Sequence, residues 1–200
     1  MIRPGALYLR SRQVQWSLPA AVAGIALLSL PIGDPGAPGR ATVLAVLALA
    51  LGFGVLGQGL GSPDVALEST GAIPWARWRL AHVVAIAGAV LATVLVFFAL
   101  PTGLAARDAI GLAGLTALGA TLFGGQLAWL LPVGWAGASA VVPPLSEPDL
   151  LAVLTWPMQP ADSLPAALTA ATLACGVIAY AIKGSRSSTS DKNSGFRGVS

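Results

Sequence analysis

The sequence predicts an all-α integral membrane protein with about six transmembrane helices, and three observations carry that prediction. Hydrophobic residues fill 56% of the 200 positions and charged residues only 10%, with a mean hydropathy of +0.79, a balance foreign to water-soluble domains. The apolar residues are gathered into runs of about 20, the length that crosses a hydrocarbon core about 30 Å thick. Those runs lack the period-2 alternation of barrel strands, so the spanning elements are helices.

The first run, Trp16 to Ile32, follows Arg3, Arg10 and Arg12. It exceeds the apolar core of a signal peptide and a second apolar run follows within ten residues, so it reads as a span. The turn formers Gly33-Asp34-Pro35-Gly36-Ala37-Pro38-Gly39 make a helical hairpin with a second span at about Ala41 to Leu60. A polar stretch from Ser62 to Arg79 precedes a third span at about Leu80 to Leu100. The fourth is expected to open at Asp108, whose carboxylate suits a helix N-terminus, and to run to about Gly125. Gln126 to Val142 contains Pro132 and reads as a kinked span or two half-helices. Ser146-Glu147-Pro148-Asp149 reads as the start of a helix too short to cross, with Ser146 capping it. The last span is expected from about Ser163 to Ile182. Three units result: an amphipathic segment 1–15, a six-helix domain 16–183, and a disordered tail 184–200.

Charge sets the orientation. Six crossings put Arg3, Arg10, Arg12, Arg77, Arg79, Lys183, Arg186, Lys192 and Arg197 on one side, nine of eleven basic residues, and leave Arg40 and Arg107 on the other. The positive-inside rule then places both termini in the cytoplasm of a plasma-membrane protein. The net charge of +3 is thereby an orientation signal, and no nucleic-acid partner is read from it.

The chemistry on offer is sparse. No GxxxxGK[ST] pattern is present, so the chain holds no nucleotide in a P-loop. Cys175 is alone, and the sole histidine, His82, lacks partners for a metal site. Ser139, in Gly137-Ala138-Ser139-Ala140, would need a histidine base to act as an intramembrane nucleophile, yet His82 falls at the opposite end of its span. Small residues at four-residue spacing, Ala81, Ala85, Ala89 and Thr93 on span three and Ala113, Ala117, Thr121 and Gly125 on span four, suit close helix packing within one subunit or between two. Trp16, Trp75, Trp78, Trp129 and Trp156 fall near span ends, where indoles anchor helices at the interface.

Two segments are chemically richer. Leu7, Tyr8, Arg10 and Arg12 form an amphipathic stretch suited to the inner membrane surface. In Ser62 to Arg79, Pro63-Asp64 starts a short helix through Glu68 and Pro74 ends it, leaving Trp75, Arg77, Trp78 and Arg79 as a basic-aromatic re-entry point.

Leu7-Tyr8-Leu9-Arg10-Ser11-Arg12, Trp78-Arg79-Leu80-Ala81-His82, Ala128-Trp129-Leu130-Leu131-Pro132 and Trp156-Pro157-Met158-Gln159-Pro160-Ala161-Asp162-Ser163 together resemble small permease-like membrane proteins of actinobacteria. The order of amphipathic N-terminal segment, cytosolic loop after span two and broken outer segment before the last span is similar to the membrane subunits of ABC-2-type exporters. The resemblance implies a type V exporter half-transporter, a homodimer or heterodimer of membrane subunits, and a separate cytosolic P-loop ATPase. ATP and magnesium would belong to that ATPase, with no cofactor in this chain. Segment 62–79 would hold the coupling helix, with Glu68, Asp64, Trp75, Arg77 and Arg79 as contacts. Leu7, Tyr8, Arg10 and Arg12 would form the interfacial helix, and segment 143–162 the outer re-entrant gate with Trp156 and Pro157. Two alternatives stand beside an exporter permease: a non-transporting scaffold, regulatory or immunity subunit, and an intramembrane enzyme.

Overall fold

The computed structural model describes residues 14–30, 39–61, 75–142 and 150–186, and these residues contain helices and turns with no strand. The helices are α1 (Val14–Leu28), α2 (Arg40–Gly57), α3 (Trp75–Phe97), α4 (Thr102–Phe123), α5 (Leu130–Val141), α6 (Leu150–Leu154) and α7 (Leu164–Lys183). Short 3-10 turns lie at Gln58–Leu60, Gly125–Leu127 and Trp156–Met158. Three helical segments are long and apolar enough to cross a membrane: Arg40–Leu60, Trp75–Phe97 and Leu164–Lys183. α4 matches them in length with 22 residues but carries Arg107 and Asp108. α1, with 15 residues, and α5, with 12, are shorter.

α2 is the central helix and touches α1, α3, α4 and α5, while α4 and α7 form the most extensive pair. That pair is close because two glycines face each other. A Cβ on Gly114 would overlap the Leu173 carbonyl, and one on Gly176 would overlap the Gly114 carbonyl, so the two backbones touch directly. Leu49 and Phe53 of α2, Leu112 and Leu115 of α4, and Tyr180 of α7 are fully buried around this pair.

α1 to α4 run in alternating directions and α7 runs parallel to α4, which gives the bundle two ends. The proximal end gathers the start of α1 and α3 and the close of α2, α4 and α7. The distal end gathers the start of α4 and α7 and the turn Trp156–Met158. Three expectations are corrected in this frame. α3 begins at Trp75, so Trp75, Arg77, Trp78 and Arg79 occupy its first two turns instead of a connection. This run of Trp, Ala and Arg contains no helix breaker, and Ala and Arg favour helix. α4 begins at Thr102 after extended Pro101, which places Asp108 well inside the helix and not at its start. Pro132 produces no kink, because α5 starts at Leu130 and the proline lies in its first turn, where no helical hydrogen bond is lost.

The small-residue stripes separate into two kinds. Ala113, Ala117 and Gly125 are buried within the subunit, where Ala117 is fully enclosed. Ala81 and Ala85 face outward, with Ala89 and Thr93 half-buried beside them.

Candidate functional site

The distal end holds the most polar interior of the molecule, and it begins with a helix that is too short. α6 has five residues, so almost all of its carbonyls lack an intrahelical donor and must be met by something else. The Leu151 carbonyl accepts from the Thr155 amide at 2.9 Å and the Thr155 hydroxyl at 2.8 Å. The Ala152 carbonyl accepts from Gln159 Nε2 at 2.9 Å. The Leu154 carbonyl accepts from Trp135 Nε1 at 2.9 Å and from Ser139 Oγ at 2.7 Å. Trp135 and Ser139 are four residues apart and so share one face of α5. Ser163 donates to Gln159 Oε1 and, as N-cap of α7, accepts from the Ala166 amide.

Beyond α6 the chain turns through Trp156–Met158, is extended at Gln159 and turns again at 161–162 before α7, and here the donor is Arg107. Its Nη1 donates to the Pro160 carbonyl at 2.7 Å. Its Nη2 donates to the carbonyls of Trp156 at 3.2 Å and Gln159 at 3.0 Å. Its Nε donates to Asp108 Oδ1 at 2.9 Å, and Nη2 stands 2.9 Å from the same oxygen. The guanidinium carbon lies 5.9 Å from the centroid of the Trp156 ring, within cation–π range. Arg107 is 9% exposed and Asp108 2%. A buried guanidinium is tolerated because carboxylate, carbonyls and ring together replace its hydration. Only a planar fork reaches several carbonyls of one turn at once, which a lysine does not.

The turn so held is inserted into the bundle. Trp156 is fully enclosed and Pro157 buried. The benzo edge of the Trp156 ring fills the place where Gly111 has no side chain; a Cβ there would overlap the ring. Met158 packs against the cluster of Val46 and Ala50 on α2 and Ala136 on α5. The Trp156 indole N–H is buried and has no acceptor among the described residues.

The proximal end is assembled differently. Tyr180 donates its hydroxyl proton to the Leu60 carbonyl at 2.7 Å in a buried position. Gly61 and Gly125 approach so closely that a Cβ on Gly125 would overlap the Gly61 backbone. Gly124 adopts a φ of 89°, open to glycine and strained for other residues. The Arg186 amide donates to the Ala120 carbonyl at 3.1 Å, and its guanidinium to the Leu122 carbonyl at 3.2 Å. Arg79 Nη1 reaches the Ala181 carbonyl at 3.4 Å. Both guanidinium groups thus sit at the negative ends of helix dipoles, Arg186 on α4 and Arg79 on α7.

Of the residues singled out from the sequence, Trp156 and Pro157 lie together at the core of the distal site. Arg79 is bound to the end of α7, Arg77 is exposed, and Trp75 is half-buried at the start of α3. Asp64, Glu68, Leu7, Tyr8, Arg10 and Arg12, with the Ser146 cap and the tail 187–200, lie outside the described residues. His82 is buried near the start of α3 while the Ser139 hydroxyl is bonded to the carbonyls of Leu154 and Trp135 on and beside α5. Among the described residues, no three His, Cys, Asp or Glu side chains converge as a metal site would need. Sequence reasoning missed Arg107, Asp108, Trp135 and Gln159 as members of one site. The adjacent opposite charges Arg107-Asp108 were the available signal, since a self-neutralising pair is compatible with an apolar interior. No protein-family model, curated protein or solved structure matches the chain.

Proposed function

We propose that the chain is a six-crossing plasma-membrane protein with both termini cytoplasmic, and that it serves as the permease subunit of an ABC-type exporter driven by a separate cytosolic P-loop ATPase. The observation that carries the reading is the seated turn Trp156–Met158. Non-helical backbone at membrane depth is stable only where protein supplies its hydrogen bonds, and such segments mark pathways and gates in transporters. Arg107 supplies such bonds to the carbonyls of Trp156, Gln159 and Pro160, and Trp135, Ser139 and Gln159 serve the carbonyls of α6 just before the turn.

Other features support the same reading. The three membrane-length helices supply three of the crossings, α1, α4 and α5 are assigned the other three, and nine of eleven basic residues fall on the proximal side in this six-crossing topology. Ionisable residues inside a span mark functional positions by default, and Arg107 with Asp108 is such a pair. Exposed apolar side chains on α3 and α7, among them Val84, Val96, Leu168 and Ile182, suit lipid or a second membrane subunit. In this reading Glu68 belongs to the cytosolic segment that docks on the ATPase, with Asp64 beside it.

The test is affinity purification of the full-length chain in mild detergent from its native host. A P-loop ATPase is expected to co-purify, and Glu68→Lys to reduce its recovery at least fivefold while membrane insertion is retained. Equal recovery by the variant removes Glu68 as the contact. Recovery of no ATPase by the wild type replaces the permease reading with that of a non-transporting scaffold.

A further inference from the structure

We infer that the Trp156–Pro160 turn is a movable plug latched in its seat by Arg107, and that releasing this one side chain opens the distal end of the bundle. The inference rests on the permease reading only in calling the opening a gate.

The turn is attached on two sides by different means. On the α5 side, Trp135 and Ser139 both hold the Leu154 carbonyl, which fixes the point where the turn begins. On the α4 side, the carbonyls of Trp156, Gln159 and Pro160 all converge on one guanidinium. The first attachment is a pivot and the second a catch. A catch of this form needs no helix to unwind, because the carbonyls of Trp156 and Pro160 keep their turn bonds to the Gln159 and Ser163 amides while a single rotamer change of Arg107 releases all three acceptors together. Asp108 stays bonded to Arg107 through Nε, so the cation keeps a partner on its own helix when it lets the turn go.

The closed seat is also imperfect. Among the described residues the enclosed Trp156 N–H has no acceptor, an arrangement that opposes burial and that a shift of the ring would relieve. The ring seats only because residue 111 is glycine. Latch and seat are therefore separate determinants of one closed position and can be broken one at a time.

Thiol labelling tests this without ATPase or substrate. The protein is reconstituted in vesicles on a Cys175→Ala background, with Ala136→Cys as the reporter beneath Met158 and Ala120→Cys as the reporter in the core of the proximal end. Ala136 and Ala120 are both fully buried, so each thiol reacts with a water-soluble maleimide only through opening, at a rate that follows the open population. Arg107→Lys keeps the charge beside Asp108 and loses the fork. It is expected to raise labelling at position 136 at least tenfold and leave position 120 unchanged. Gly111→Ala leaves Arg107 intact, obstructs the ring, and is expected to give the same pattern. Unchanged labelling at position 136 in both variants overturns the latch, and so does a parallel rise at both positions, which would show loosening of the whole bundle. An exporter reading that fails for want of an ATPase leaves this result standing, and a negative labelling result leaves ATPase recovery untouched.

Discussion

The two ends of the bundle solve the same problem in opposite ways. At the distal end, main-chain carbonyls that no helix can serve are met by long side chains, Arg107 from α4 and Trp135 from α5. At the proximal end side chains also serve carbonyls, Tyr180 that of Leu60 and Arg79 that of Ala181, but there main chain meets main chain as well: Gly61 lies against Gly125, and the Arg186 amide bonds the Ala120 carbonyl. Side chains exchange partners by rotating, whereas backbones in contact separate only when the helices do. The inserted turn of the distal end is thus held by releasable bonds, and the proximal end adds contacts that keep the helices in fixed register.

The largest effect expected is from Arg107→Ala. It leaves Asp108 buried without its partner and takes a donor from three carbonyls, of which those of Trp156 and Pro160 keep a backbone donor, a change of about 3–5 kcal/mol. Thermal unfolding in detergent measures it, and adding Asp108→Asn should restore more than half of the loss, since the orphaned charge is then gone. A loss under about 1 kcal/mol for the single variant would show that the pair is not buried in the folded state.

Next comes a matched pair of glycine substitutions that tests the comparison directly. Gly125→Ala and Gly111→Ala each introduce an overlapping Cβ, but the first meets the Gly61 backbone and the second the Trp156 ring. Gly125→Ala should cost about 3 kcal/mol, at the upper end of overpacking, and Gly111→Ala about 1–2 kcal/mol, because a ring on a latched turn can lift out. Equal losses in the unfolding transition would erase the distinction between the two ends. The smallest effect belongs to Tyr180→Phe, which removes the hydroxyl that serves the Leu60 carbonyl. A loss of about 1 kcal/mol is expected, and full wild-type stability would mean that the carbonyl finds another donor.

How much of this was legible in the sequence depended on how local each signal was. The start of α7 was readable because Ser163 caps it and Pro165 stands in its first turn. The end of α2 was readable because Gly57 to Gly61 interrupts an apolar run. The start of α4 was misread, since Asp108 looked like a carboxylate opening the helix and Arg107 like a charge of the outer loop before it; the acceptors of Arg107 at Trp156, Gln159 and Pro160 lie far along the chain. Ser139 illustrates the same limit. Weighed as a nucleophile or a packing residue, it is a donor to a carbonyl on another helix, a role with no sequence signature of its own. Of the two small-residue stripes, that of α4 lies at a close approach and that of α3 faces outward at Ala81 and Ala85; periodicity marks a face and not its neighbour.

The bond from Arg186 back to the end of α4 has a consequence for biogenesis. The Leu122 carbonyl and the groove beside Gly124 emerge from the ribosome well before their partner, so α5, α6 and α7 are all made while the close of α4 is still bare. Closure of the proximal end by Arg186 therefore follows the synthesis of α5, α6 and α7, and a nascent chain stalled anywhere before Arg186 keeps that end unsealed.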